Sequence, residues 1–438
     1  EPFAKNLRAP ELTFQTLAVM HIVAALGHSL SLNFRPLNRI SDFVSTKLLL
    51  PLGALKTREP LYLWLLALPG LFSLVGQTAS FGNVFGKFLE ATEFLTWLPF
   101  LIVAYYKAEG DTYCDIRRQA PLLIGYALLI AALGLARNAR GLMFTGPATV
   151  TLIYLVISLR APQGMTRKSL ARWLIALSVL IVSVFSLSNL VTAMAIAREN
   201  REDATRVEMI RLTAEALMDD QKMQQHRDTG YLKRLTTMYD ETYLENPIMS
   251  RLTETKFHDN IFFLGGLMGD EQISRIVDEE IRSIIVLLPQ PMLDALDIDI
   301  QKFEHLYSIG DVYIHLAYGY PLGGFVTGSV FGDVYTLCGP YWPVAALLLF
   351  TVTFIALNSL NTPTGLHISP VALCLAWPIF LYGVGGESIA AKVGFLLRAL
   401  PQKVLVFVVL VGTLNAIAAL FRTTPYQVKT TDSGAKAP

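Results

Sequence analysis

Apolar positions in this chain fall into runs of about 17 to 25 residues, and a polar stretch of about 140 residues interrupts the series. A helix needs about 20 apolar residues to cross about 30 Å of hydrocarbon, so each run is long enough to span a bilayer. The pattern predicts spans at roughly 12–33, 61–77, 88–106, 120–136, 142–160, 172–196, 340–359, 367–385 and 403–421. The stretch 42–55 is short and carries Lys47 and Pro51, so it reads as a broken span, a re-entrant piece or an interfacial helix. The expected fold class is an all-α polytopic membrane protein with about 9–11 transmembrane helices and one large external loop. A β-barrel would show short alternating segments instead. The organisation expected is N-terminal transmembrane helices over 1–196, an external segment with amphipathic helices over 197–339, C-terminal transmembrane helices over 340–421 and a cytoplasmic, disordered tail over 422–438.

Composition agrees with that pattern. The chain is 53% hydrophobic and 16% charged, with a mean hydropathy of +0.45, whereas a soluble domain carries about 25% charged residues. The net charge of +1 identifies no partner, and no nucleic acid is expected. Cys114, Cys338 and Cys374 lie far apart and form neither a disulfide framework nor a metal-ligand spacing. The first residues lack the pattern of a cleaved signal peptide.

Side of the membrane follows from Lys and Arg in the short connections. Arg160, Arg167, Lys168 and Arg172 lie in one connection without an acid; Lys107, Arg117 and Arg118 lie in another. Arg35, Arg39, Lys47, Lys56 and Arg58 occupy the 34–60 connection, and Arg422, Lys429 and Lys436 the tail. Alternation of the spans makes all four cytoplasmic. Segment 197–339, the turn 136–141 and the loop 383–392 are then external.

The external segment has its own pattern. Val207, Ile210, Ala214 and Leu217 recur at helical spacing within the charged stretch 199–228, which predicts an amphipathic helix lying over the membrane domain. Residues 271–288 predict a second helix, stopped by Pro289 and Pro291. Residues 309–332 are rich in Gly and Tyr, which suits close backbone packing around a cavity.

Several groups stand out chemically. Arg137 and Arg140 sit at an external turn, where the positive-inside bias disfavours arginine. They read either as snorkelling cations or as forks for phosphate oxygens. Arg251, Thr255, His258 and Asp259 would share one face of a helix. That face is either a solvated surface or a site in which His258 takes a proton and Asp259 orients it. Asp333 and Tyr335 stand among Gly328, Gly332 and Gly339 just before a span. Asp333 reads as a helix N-terminal charge or as the acid of a site. Glu387 and Lys392 read as a local ion pair, and His21 and His28 as packing or headgroup contacts. No acidic cluster with divalent-metal spacing, HExxH, GxGxxG, P-loop or DxD occurs, so no cofactor and no metal are expected.

The stretch Gly328-Ser-Val-Phe-Gly-Asp333-Val-Tyr335-Thr-Leu-Cys-Gly339, the Arg140-Gly141 turn and Ser250-Arg251-Leu together resemble the Wzy-type O-antigen polymerases and the wider O-antigen ligase-like, repeat-unit polymerase family. The resemblance covers roughly residues 60–421; the family often has Glu where Asp333 stands. It implies a GT-C-like architecture in the bacterial inner membrane with an active site facing the periplasm. It also implies glycosyl transfer from undecaprenyl-pyrophosphate-linked oligosaccharides to a lipid-linked acceptor sugar, or to lipid A core in a ligase. Membrane lipids and a chain-length regulator are the further partners it suggests. On this reading Arg140 and Arg251, supported by Arg137, offset the charge of the departing diphosphate. His258 or Asp333 is the general base, and Tyr318, Tyr320 and Tyr335 meet the sugar rings. A transporter of lipid-linked sugars and a non-catalytic assembly protein are the competing readings. The first is disfavoured by spans with few charges and unmatched halves.

Overall fold

The computed structural model describes residues 7–53, 55, 59–76, 88–89, 91–109, 112–139, 142–143, 146, 149–151, 187–198, 204–226, 228, 255–288, 290–300, 307–361, 369 and 386–421, with isolated positions between 167 and 182. Among them every regular element is helical. Helix α1 (Pro10–Asn33) starts with proline in its first turn, where a missing N–H costs nothing, and ends at an extended Phe34. Helix α2 (Arg35–Phe43) follows and winds into a wider π turn, Val44–Leu49. The stretch 42–55 thus continues a second helix. That helix is bonded to the expected span 340–359 through Ser41, whose hydroxyl donates to the Ile355 carbonyl at 3.0 Å.

Helix α3 (Pro60–Gly76) is apolar but only 17 residues long. The expected span at 88–106 is a 3₁₀ segment, Glu93–Phe100, running into α4 (Leu101–Glu109). Pro99 lies at the change of winding, where its ring and absent N–H disfavour a regular α turn. Helix α5 (Ile116–Ala136) is capped by Asp115, whose side chain accepts from the Arg117 N–H. Helices α6 (Ser188–Ala197), α7 (Arg206–Met218), α8 (Thr255–Gly266), α9 (Asp270–Ile285), α10 (Gln290–Ala295) and α11 (Ile309–Tyr318) follow. Helix α12 (Val330–Cys338) joins α13 (Trp342–Asn358) through one 3₁₀ turn. Helix α14 (Ile389–Gly394) joins α15 (Leu400–Phe421) through a π turn. The expected spans 142–160 and 367–385 lie largely outside the described residues, as does the tail 422–438; of 172–196, the described part ends in α6.

Among the described residues, four helical paths are long and apolar enough to cross a membrane: Pro10–Asn33, Ile116–Ala136, Val330–Asn358 and Ile389–Leu420. Two of them start earlier than hydropathy alone indicates, at Val330 rather than 340 and at Ile389 rather than 403, because α12 and α14 extend the apolar helices into a polar layer. Their outer faces carry exposed apolar side chains. Ile22 is 61% exposed, Leu128 67%, Leu348 64% and Leu405 63%. Apolar surface on that scale is suited to lipid contact rather than to water.

Helices α1 and α13 run parallel. Met20, Val23 and Ala24 pack with Ala346 and Phe350; Gly27 approaches the Thr351 backbone so closely that a Cβ would stand 3.1 Å from its nitrogen; Asn358 Nδ2 donates to Ser31 Oγ at 2.9 Å. A small residue at the crossing lets the backbones approach where no hydrophobic effect drives the helices together. The same end of the bundle holds the starts of α3 and α5, joined by Trp64 Nε1–H donating to Gln119 Oε1 at 3.0 Å, and the turn at Gly53, beside Asn415 of α15. The opposite end holds the start of α1, the end of α5, and helices α8, α9, α11 and α12.

Candidate functional site

Helix α8 is buried on almost every side: Lys256, Phe257, His258, Asp259, Asn260 and Ile261 are all buried. His258 and Asp259 do not act on one another. The Asp259 carboxylate accepts from the Arg8 N–H at 2.7 Å, the Ala9 N–H at 2.9 Å and the Thr13 hydroxyl at 2.9 Å. It closes the start of α1, where N–H groups lack helical partners. It holds this place rather than orienting His258. His258 instead has Nδ1 2.6 Å from the Ser329 hydroxyl. Its ring lies 4.9 Å from that of Phe331. Burial, and secondarily the neighbouring His21, lowers its pKa to about 3. The imidazole is therefore neutral at ordinary pH.

Ser329 links this group to the next. Its hydroxyl oxygen accepts from the Gly332 N–H at 2.9 Å and so starts α12. Asp333 follows one turn later and is fully buried. It does not act with Tyr335. Two residues along a helix are about 200° apart, and Tyr335 packs edge-on to Phe262 and against Trp342, 5.4 and 5.9 Å between ring centres. Tyr318 packs beside the buried face of α11, and Tyr320 is exposed, its carbonyl 2.7 Å from His315 Nδ1. The phenol within reach of Asp333 is Tyr313 of α11, fully buried and held well above its ordinary pKa, by burial first and then by the nearby Asp333 charge.

Asp333 faces Glu280 of α9, and both close the start of α14. Asp333 Oδ2 accepts from the Ile389 N–H at 3.1 Å, Glu280 Oε2 from the Ala390 N–H at 2.6 Å and Ser388 Oγ from the Ala391 N–H at 3.0 Å. Three successive N–H groups are thus satisfied by three elements. Burial raises the Glu280 pKa above the usual carboxylate range, partly offset by bonds from Asp333, Ala390 and Ile389. Glycines set the spacing. A Cβ on Gly332 would strike the Ile261 side chain, and one on Gly310 the Val326 carbonyl. A cleft of about 480 Å³ opens beside this cluster, lined by Tyr307, Ser308, Gly328, Ser388, Ala391 and Arg398 among others.

Glu280 and Tyr313 escape a reading based on local motifs. Glu280 does carry a signal, since it follows the buried Ile276 by four residues and so places an acid on the apolar stripe of α9. Lys392 is buried, its Nζ 3.8 Å from a Cβ built on Gly386.

Of the arginines, Arg140 and Arg251 lie outside the described residues. Arg137 ends α5, its Nη1 3.8 Å from Glu93 Oε1, in a side chain 19% exposed. Arg206, at the first position of α7, stands close enough that burial and the Arg137 charge together lower its pKa. The adjoining Asn138 adopts φ 52° and donates through Nδ2 to the Met194 carbonyl at 2.8 Å, which fastens this turn to α6. The Arg206 charge thus lies within electrostatic range of Arg137 at the end of α5, and Arg206 is the one that sequence spacing does not reveal. No protein-family model, curated protein or solved structure matches the chain.

Proposed function

We propose that the chain is a metal-independent glycosyltransferase of lipid-linked oligosaccharides. It acts as an O-antigen-type polysaccharide polymerase with a GT-C-like organisation on the outer face of the bacterial inner membrane. The observation that carries this reading is the meeting of Arg137 and Arg206, with Arg140 three residues further along the chain. Like charges within electrostatic range of each other are costly unless an anion offsets them. Glu93 supplies one negative charge; a diphosphate would supply more and would accept the guanidinium N–H groups in pairs.

In the reaction the acceptor hydroxyl attacks the anomeric carbon. The bond from that carbon to the diphosphate oxygen breaks, and the electron pair leaves with the diphosphate. Arginines stabilise that developing charge. The acceptor proton passes to a base, with His258 the first candidate and Asp333 the second. His258 starts neutral, as a base must, and an anion bound nearby would raise its depressed pKa. The cytoplasmic assignment of the Lys- and Arg-rich connections places the arginine pair and helices α7 to α12 outside, where undecaprenyl-linked repeats are presented.

The test is to incubate purified protein with an undecaprenyl-pyrophosphate oligosaccharide. A ladder of longer products is the expected result, reduced about 100-fold in R137A/R206A. Product formed only with lipid A core makes the enzyme a ligase. Absence of product with either acceptor, or movement of substrate across vesicles without elongation, overturns the proposal.

A further inference from the structure

The carboxyl groups of Glu280 and Asp333 come from different elements and meet out of water, 4% and 0% exposed. Each spends one oxygen on a backbone N–H of α14. Their remaining oxygens, Glu280 Oε1 and Asp333 Oδ1, are buried and receive no N–H; the Tyr313 hydroxyl is within reach of Asp333. The two side chains stand within hydrogen-bonding reach of each other. Two carboxylates cannot bond to one another when both are ionised, and at this range in a dry site they repel. With a single proton between them, the same contact becomes a charge-assisted O–H···O bond.

We propose that Glu280 and Asp333 hold one proton between them, and that this proton clasps α9 to α12, the head of the α12–α13 membrane helix, over the start of α14. Helix α9 is not among the candidate spans, whereas Val330–Asn358, which carries Asp333, is. The pair therefore joins the polar segment of the chain to a membrane helix through an ionisable contact.

The groups around the pair leave the proton there. From α11, the Tyr313 hydroxyl reaches Asp333 and Thr336, and it stays protonated because its pKa is raised. Asp311 of the same helix is turned away and accepts from the Ser308, Phe325 and Val326 N–H groups, and His315 meets the Tyr320 carbonyl. On α9, Glu279 is occupied by the Tyr307 hydroxyl at 2.7 Å and by Arg282 at 3.4 Å. On α12, Tyr335 faces the aromatic cluster. From α14 comes Lys392, which extends toward Gly386; Glu387 precedes that helix and lines the adjoining cleft.

A carboxyl pKa raised in the folded state gives a definite sign. The folded state binds the extra proton, so the clasp is complete below the usual carboxylate range and is lost as pH rises through the raised value. In E280Q the amide carbonyl still accepts from Ala390 and the NH₂ donates to Asp333, which replaces the shared proton with one that cannot leave. The experiment is thermal unfolding of the full chain in detergent from about pH 5 to about pH 9, with infrared detection of a protonated carboxyl. Wild type should lose stability relative to E280Q as pH rises and should show a protonated-carboxyl band that E280Q lacks. D333N should behave like E280Q, and serves alone if E280Q does not fold. Parallel pH profiles for wild type and the amide variants, or no protonated-carboxyl band in wild type, overturn the clasp. Neither readout uses a glycan substrate, so the result is independent of the enzymatic proposal.

Discussion

His258 and Asp259 are chain neighbours with unrelated work. Asp259→Ala removes the acceptor of three hydrogen bonds at the start of α1; leaving those partly buried donors unpaired should cost about 3 kcal/mol in chemical unfolding. His258 should produce an acid-side effect. Its pKa falls from the ordinary 6.5 to about 3 in the folded protein, so the unfolded chain binds the proton first. Stability is complete above about pH 6.5 and falls by up to about 1.4 kcal/mol per pH unit as pH drops toward 3. H258N should lose that part of the acid slope in unfolding measured against pH. The sequence makes Asp333 visible because an acid just before an apolar run is unusual. It hides Glu280 among the many acids of α9, since only helical phase marks which of them turns inward. It also gives no hint that Asp259 is spoken for, because its partners lie about 250 residues away.

Helix α7 shows how an apolar stripe can mislead. Val207, Ile210, Ala214 and Leu217 recur at helical spacing, yet these positions are exposed, and the buried face is Met209, Thr213 and Ala216. The period was legible and its direction was not, because periodicity marks a helix face without saying which neighbour covers it. Replacing Ile210 or Leu217 by Lys should therefore change unfolding free energy by less than about 0.5 kcal/mol. Met209→Ala should cost about 2 kcal/mol or more. The reverse order would mean that the apolar stripe packs against protein. The two early starts, α12 before α13 and α14 before α15, were beyond a hydropathy window for a related reason. Polar side chains such as Asp333 and Lys392 lower the local average, although the helices carrying them are continuous into the membrane-length run.

At the scale of the molecule, alternation of spans and basic connections predicted which chain ends lie together, and the contacts of Trp64 with Gln119 and of Gly53 with Asn415 join segments expected on one side. Sidedness itself is tested by labelling. In a background without native cysteines, Arg35→Cys should react with an impermeant maleimide only from the cytoplasmic face, and Met218→Cys only from the opposite face. Labelling of both from one face would invert or break the assignment. The parallel pairing of α1 with α13 has a further meaning for biogenesis. The first helix enters the bilayer when its partner, more than 300 residues downstream, has yet to be synthesised. Until then Gly27 and Ser31 confront lipid, and the Asp259 that will seal the amino end of α1 is also missing. Assembly of this protein is therefore finished late, and a chain stopped before residue 255 should leave its opening helix inserted but unmoored, a target for quality-control proteolysis.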